Sequence, residues 1–207
     1  MTETIHTSQP PHRQIRARYS DSTIRVYQAY PPQIARPAVA AQRFVPPFSM
    51  HRMTWIKPSF NWMMYRCGWA SKPNQEHVLA IDIDRTGFEW FLQNSALSHF
   101  EPEVYSSLEN WHAEVEQSPV QIQWDPERNW NLERLDYRSI QIGISAEAVV
   151  RYVSEYTRLI TDLTTETIQI REAPADQRRA LVEAITAEEK PYPVPTAIAN
   201  RIGMPVE

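Results

Sequence analysis

The sequence predicts an α+β fold, a single domain with a mixed, mostly antiparallel sheet flanked by helices. Strand-like and helix-like segments are interspersed, yet no regular strand–helix–strand rhythm with Gly-rich turns appears. The 207 residues are 42% hydrophobic, which suits one sizeable core and would leave two half-sized domains short of apolar residues. Only 4 Gly stand against 17 Pro, so many loops and extended segments are conformationally fixed.

Residues 1–20 are polar, carry Pro10-Pro11 and lack periodicity, which predicts a flexible N-terminal tail. The domain is expected over residues 21–189. It opens with a strand at 23–30, rich in β-branched and aromatic residues. Pro31-Pro32 ends that strand and starts a helix to about residue 41, with Pro37 expected to shorten or kink it. Ser59 can cap a short helix at 60–66, and Gly68 stands where a C-cap glycine would. A strand at 77–83 follows, then a helix from Asp84 to about residue 94, another at 103–116, and a short strand at 120–124 stopped by Asp125-Pro126. Residues 136–144 form a third strong strand. Ser145 then caps a long helix in which Val149, Val150, Val153, Tyr156 and Ile160 share a face. A last helix covers 175–188, and residues 190–207 form a Pro-rich, polyproline-like arm.

The net charge of -4 argues against nucleic acid as a bulk partner and leaves room for a local basic site. No Gly-rich phosphate loop occurs, which disfavours P-loop and Rossmann enzymes. Cys67 is the single cysteine, so no intramolecular disulfide forms and a reducing, cytoplasmic setting is expected. No apolar run reaches the roughly 18 residues that span a bilayer, so no membrane partner is expected. His51, His77, His99 and His112 show no metal-ligand spacing, and no metal is expected.

The segment Arg52-Met-Thr-Trp-Ile-Lys-Pro-Ser-Phe-Asn-Trp-Met-Met-Tyr-Arg66 is the most informative. It interleaves Arg52, Lys57 and Arg66 with Trp55, Phe60, Trp62 and Tyr65. Cations among aromatics suit a ligand that carries both phosphates and a flat ring. The competing reading makes the aromatics core and leaves the cations solvated. Polar residues also interrupt two apolar strands: Tyr27, Gln28 and Tyr30 in one, Arg138 and Gln141 in the other. They either satisfy each other or face a ligand in a cleft between the strands.

The strings Val26-Tyr-Gln-Ala-Tyr30 and Arg52-Met-Thr-Trp-Ile-Lys-Pro-Ser-Phe60 resemble the hallmarks of the domain-of-unknown-function family DUF4291, and the resemblance covers nearly the whole chain after residue 20. No activity comes with it. The order of elements is also similar to the ADP-ribosyltransferase superfamily, in its DarT-like branch. Ile56-Lys-Pro-Ser-Phe-Asn-Trp-Met-Met-Tyr65 resembles that branch's NAD-binding loop, and Arg138-Ser-Ile-Gln141 stands where an Arg-x-x-Glu strand carries the catalytic glutamate. Ser59 replaces the loop arginine and Gln141 replaces the glutamate. The resemblance implies NAD as cofactor, with Arg138 and Gln141 in the catalytic positions. Tyr27, Gln28, Tyr30, Arg52, Trp55, Lys57, Tyr65 and Arg66 would line the cofactor site. Two alternatives stay open. One is a non-catalytic module that binds a nucleotide, or a single strand stacked on Trp55, Trp62 or Trp69 with Arg52, Lys57 and Lys72 on its phosphates. The other is an interaction domain docking through its Pro-rich arm.

Overall fold

The computed structural model describes residues 10–205, so residues 1–9 of the expected tail lie outside the described part. A two-stranded ribbon pairs β1 (Arg16–Arg18) with a late strand, and two larger sheets carry the fold. The first sheet has three antiparallel strands in the order β2 (Thr23–Tyr30), β4 (His77–Asp84), β8 (Thr157–Asp162). The second runs β3 (Thr54–Ile56), β7 (Arg134–Ile144), β6 (Val120–Arg128), β5 (Ser95–Leu97). Only its β5–β6 pair is parallel among the described ladders. The fold is therefore α+β with mixed, mostly antiparallel sheets.

β4 explains why the core has two parts. Its Leu79, Ile81 and Ile83 face a larger cluster, while Val78 and Ala80 face a smaller one. A strand covered on both faces reads as a continuous apolar run, as Val78-Leu-Ala-Ile81 does. β2 does the same by alternation: Ile24 and Val26 enter the larger cluster, and Tyr27 the smaller. Each such large side chain contributes about 2 kcal/mol of burial. Helices α1 (Pro32–Ala41), α3 (Arg85–Gln93) and α5 (Ala146–Arg151) cover the larger cluster through Ala35, Ala38, Phe88, Phe91 and Val149. α2 (Phe60–Cys67) covers the smaller with Phe60, Met64 and Cys67, spaced i, i+4, i+7.

Several expectations need correction. The tail does not extend to residue 20: Ile15 and Ala17 are fully buried, and β1 pairs with β9 (Glu189–Pro191). The C-terminal arm is likewise no free polyproline segment. It supplies β9, buries Tyr192, and ends in α8 (Thr196–Arg201), whose Ile198 and Ala199 are buried. Asp125-Pro126 does not stop β6, which runs on to Arg128. β5 flanks β6 only at 120–122, so Pro126 sits where one edge of the strand is open and its missing N–H costs no ladder bond. The helix expected at 103–116 is α4 (Leu108–Gln117), started by the Ser107 hydroxyl, which accepts from Asn110 N–H.

The long helix expected after Ser145 is the largest miss. It ends at Arg151, passes through a π-helical turn at Tyr152–Tyr156 and becomes β8. Ile160 belongs to the strand and pairs with Ile81, and Val150 is exposed. The π turn sends Tyr152 into the core and Tyr156 against Phe91. Helix α6 (Thr164–Glu172) has no counterpart in the sequence reading, whereas α7 (Ala175–Thr186) does. Pro37 lies inside α1 without ending it.

Candidate functional site

One pair of backbone bonds links the two sheets. Tyr27 N–H donates to Lys57 O at 2.7 Å, and Lys57 N–H donates to Tyr27 O at 3.3 Å. Beyond this link the sheets separate, and a cleft of about 710 Å³ opens between them. That volume lies within the usual range of small-molecule sites. β2 contributes Gln28 and Tyr30, β3 contributes Thr54 and Trp55, and α2 contributes Met63 and Arg66. Gln123 and Gln141 come from β6 and β7, Lys57 from the link, and Arg52 from the loop before β3.

Lys57 is the deep cation, 5% exposed. Its Nζ lies 3.5 Å from Trp55 O and 5.1 Å from the Trp62 ring centroid. Burial in this apolar setting, with the charge of Arg66 acting in the same direction, pulls its ammonium down to about 7, against an opposing pull from Asp125. Arg52 and Arg66 are exposed at the rim. Arg66 bonds only the Gln75 side chain, at 3.4 Å, and no carboxylate pairs with any of these three cations among the described residues. The Trp55 indole lies across Gly143 of β7, its cross-strand partner. A Cβ added at Gly143 would stand 2.9 Å from that ring, so the missing side chain is what seats the indole.

The polar residues of the strands divide by face. Gln28 is saturated: its Nε2 meets Tyr30 Oη at 2.9 Å, Thr54 Oγ1 at 2.8 Å and Trp55 O at 3.1 Å, and its Oε1 accepts from Tyr152 Oη at 2.8 Å. It borders the cleft as a structural amide, tied into the wall. Gln141 donates to Asp125 Oδ2 at 2.7 Å, and Gln123 donates to Asp125 Oδ1 at 2.9 Å. Two cleft-lining amides thus grip one carboxylate. Sequence reasoning took Asp125 for a strand stopper. Its signal was the alternation Gln121-Ile-Gln-Trp-Asp125, which puts Gln121, Gln123 and Asp125 on one face of β6.

Three candidates lie elsewhere. Arg138 is an odd number of residues from Gln141 and so occupies the opposite face of β7. It donates to Trp124 O at 2.9 Å beside a second hollow of about 340 Å³ that also takes in His12, His99 and Asp125. Tyr27 alternates with Gln28 and points behind the cleft, where its hydroxyl donates to Glu189 Oε1 at 3.3 Å. Tyr65 is outside, with the Arg128 guanidinium 3.6 Å from its ring centroid. Arg52, Trp55, Lys57, Arg66, Gln28, Tyr30 and Gln141 do meet on the one cleft. Trp62 and Trp69 are buried, which leaves Trp55 as the one of the three rings open to a stacked base.

Behind the cleft, α2 starts against two carboxylates, Glu127 buried and Glu189 half-buried. Ser59 Oγ donates to Glu127 Oε1 at 2.9 Å and Phe60 N–H donates to Glu189 Oε1 at 3.0 Å. Burial raises both acids. Glu189 reaches about 8, with Glu127 adding to the rise and the Phe60 bond opposing it. Among the described residues no group of three His, Cys, Asp or Glu side chains is placed to hold a metal ion, and no helix is long and apolar enough to cross a membrane.

Fold and site together define an α+β domain with a cation-lined cleft between two sheets. The chain belongs to the family described as "Domain of unknown function (DUF4291)", whose model matches residues 14–192. No curated protein matches it.

Proposed function

We propose that the cleft binds a small nucleotide, with NAD as the first compound to test. The observation that supports this is the convergence of Lys57, Arg52, Arg66 and Trp55 on one cavity, with none of the three cations in an ion pair among the described residues. Arginine forks suit a pyrophosphate and the indole suits a base or nicotinamide ring. The burial of Trp62 and Trp69 favours a single nucleotide over a strand. In this reading an ADP-ribosyl transfer step draws on Asp125, which the cleft-lining Gln123 and Gln141 hold beside the cleft at the neighbouring hollow, rather than on Gln141. A neutral amide cannot stabilise a ribose cation, whereas a carboxylate oriented by two amides can.

Thermal unfolding with NAD, ADP and AMP tests the binding. A ligand at about 100 times its Kd adds roughly 2.7 kcal/mol, which moves Tm by several degrees in a domain of this size. Arg66→Ala is expected to abolish the shift while leaving the ligand-free Tm nearly unchanged, because Arg66 is exposed. No shift at millimolar concentrations of all three compounds rules the reading out. Asp125→Asn should keep the NAD-induced shift and lose any release of nicotinamide. Unchanged release in that variant removes the transfer step.

A further inference from the structure

We infer that Lys57 is a reactive amine that condenses with the carbonyl of an anionic, ring-bearing aldehyde or ketone held in the cleft. The inference goes beyond nucleotide binding and does not require that the ligand be a nucleotide.

The geometry carries it. Lys57 is buried in the cleft wall, with its Nζ 5.1 Å from the Trp62 ring centroid and 3.5 Å from Trp55 O, a weak contact for an amine to depend on. No carboxylate forms an ion pair with it among the described residues, although such a partner is what a buried lysine ordinarily needs. The groups that bear on its charge are Arg66, Asp125 and Cys67. Arg66 and burial favour the neutral amine, the nucleophilic form. Arg66 and Arg52 at the rim supply an anion anchor, and Trp55 a flat wall beside it.

The step balances without a redox partner. The Nζ lone pair adds to the carbonyl carbon and the C=O pair moves to oxygen. Both amine protons leave with that oxygen as water, and a C=N bond remains. The chain is well suited to a test because it has only three lysines, Lys57, Lys72 and Lys190. The other two are exposed: Lys72 donates to Arg66 O at 2.8 Å, and Lys190 lies 4.5 Å from the Tyr19 ring centroid.

The experiment treats the full chain with pyridoxal 5′-phosphate near pH 7, reduces it with borohydride and maps the labelled peptides. This probe carries a phosphate, a flat ring and an aldehyde. Lys57 is expected to be labelled at least about tenfold faster than Lys72 or Lys190, since an ordinary lysine is about one part in a thousand neutral at that pH. Pyridoxal, which lacks the phosphate, should label it several-fold more slowly. Labelling that follows exposure, with Lys72 and Lys190 first, overturns the proposal. Equal labelling of Lys57 by both probes overturns the anionic ligand class. NAD in the same reaction separates the two readings. Labelling that NAD fails to block, with no NAD-induced Tm shift, leaves the amine and removes the nucleotide. A Tm shift with Lys57 unmodified does the reverse.

Discussion

Lys57 and Glu189 lie on opposite sides of the Tyr27–Lys57 link and depart from their ordinary titration in opposite senses. Glu189 is raised to about 8, so the folded chain holds a proton that the unfolded chain has released, and stability falls as pH climbs through the window from about 4.5 to 8. Lys57 is lowered to about 7, so between about 7 and 10.5 the unfolded chain holds the extra proton and stability rises with pH. These two groups therefore set a trough in stability near pH 7 to 8. Denaturant unfolding across pH 5 to 10 should show it. Glu189→Gln is expected to flatten the falling limb and Lys57→Met the rising one. A trough that survives both substitutions assigns it to other groups.

At the scale of elements, the junction of α3 with the π turn is the tightest packing that a single substitution probes. A Cβ at Gly87 of α3 would enter the Tyr156 ring, so Gly87→Ala must push that ring or the turn aside. Overpacking of this kind costs about 1–3 kcal/mol. The expected fall in Tm is several degrees, and an unchanged Tm would show that the π turn yields freely. This turn is also where sequence reasoning failed. Val149, Val153, Tyr156 and Ile160 recur at helical spacing, but Thr157, Ile160 and Thr161 are β-branched and pair with β4. Position-by-position periodicity cannot see a partner strand some eighty residues away. By contrast β2, α2 with both its caps, β4 and β7 were legible, because each carries its own alternation, cap or apolar run. The site divided along the same line. The cation–aromatic segment was readable locally. The faces of Arg138 and Tyr27 follow from strand alternation, and the grip of Gln123 and Gln141 on Asp125 needs the β6–β7 register.

For the whole molecule, the β1–β9 ribbon and the residues beyond it are part of the core. Tyr192 packs on Phe88 and Tyr19, and its hydroxyl donates to Glu89 Oε1 at 2.7 Å. Ending the chain after Glu188 removes Glu189, Tyr192, Ile198 and Ile202 together and uncovers Ile15 and Ala17. Three large buried side chains alone account for about 5 kcal/mol. Such a truncation should lower Tm by about 10 °C or more, or leave the chain unfolded. A truncated chain with the original Tm would show that the ribbon is dispensable.

The same ribbon fixes an order in time. Arg16–Arg18 is synthesised well before its hydrogen-bonding partner, which is not added until positions 189–191. Nearly all of the intervening chain must be synthesised before that edge can close, and a contact of such long range is slow to form. Until residues 189–191 are added, the growing polypeptide carries β1 as an open, templating strand edge.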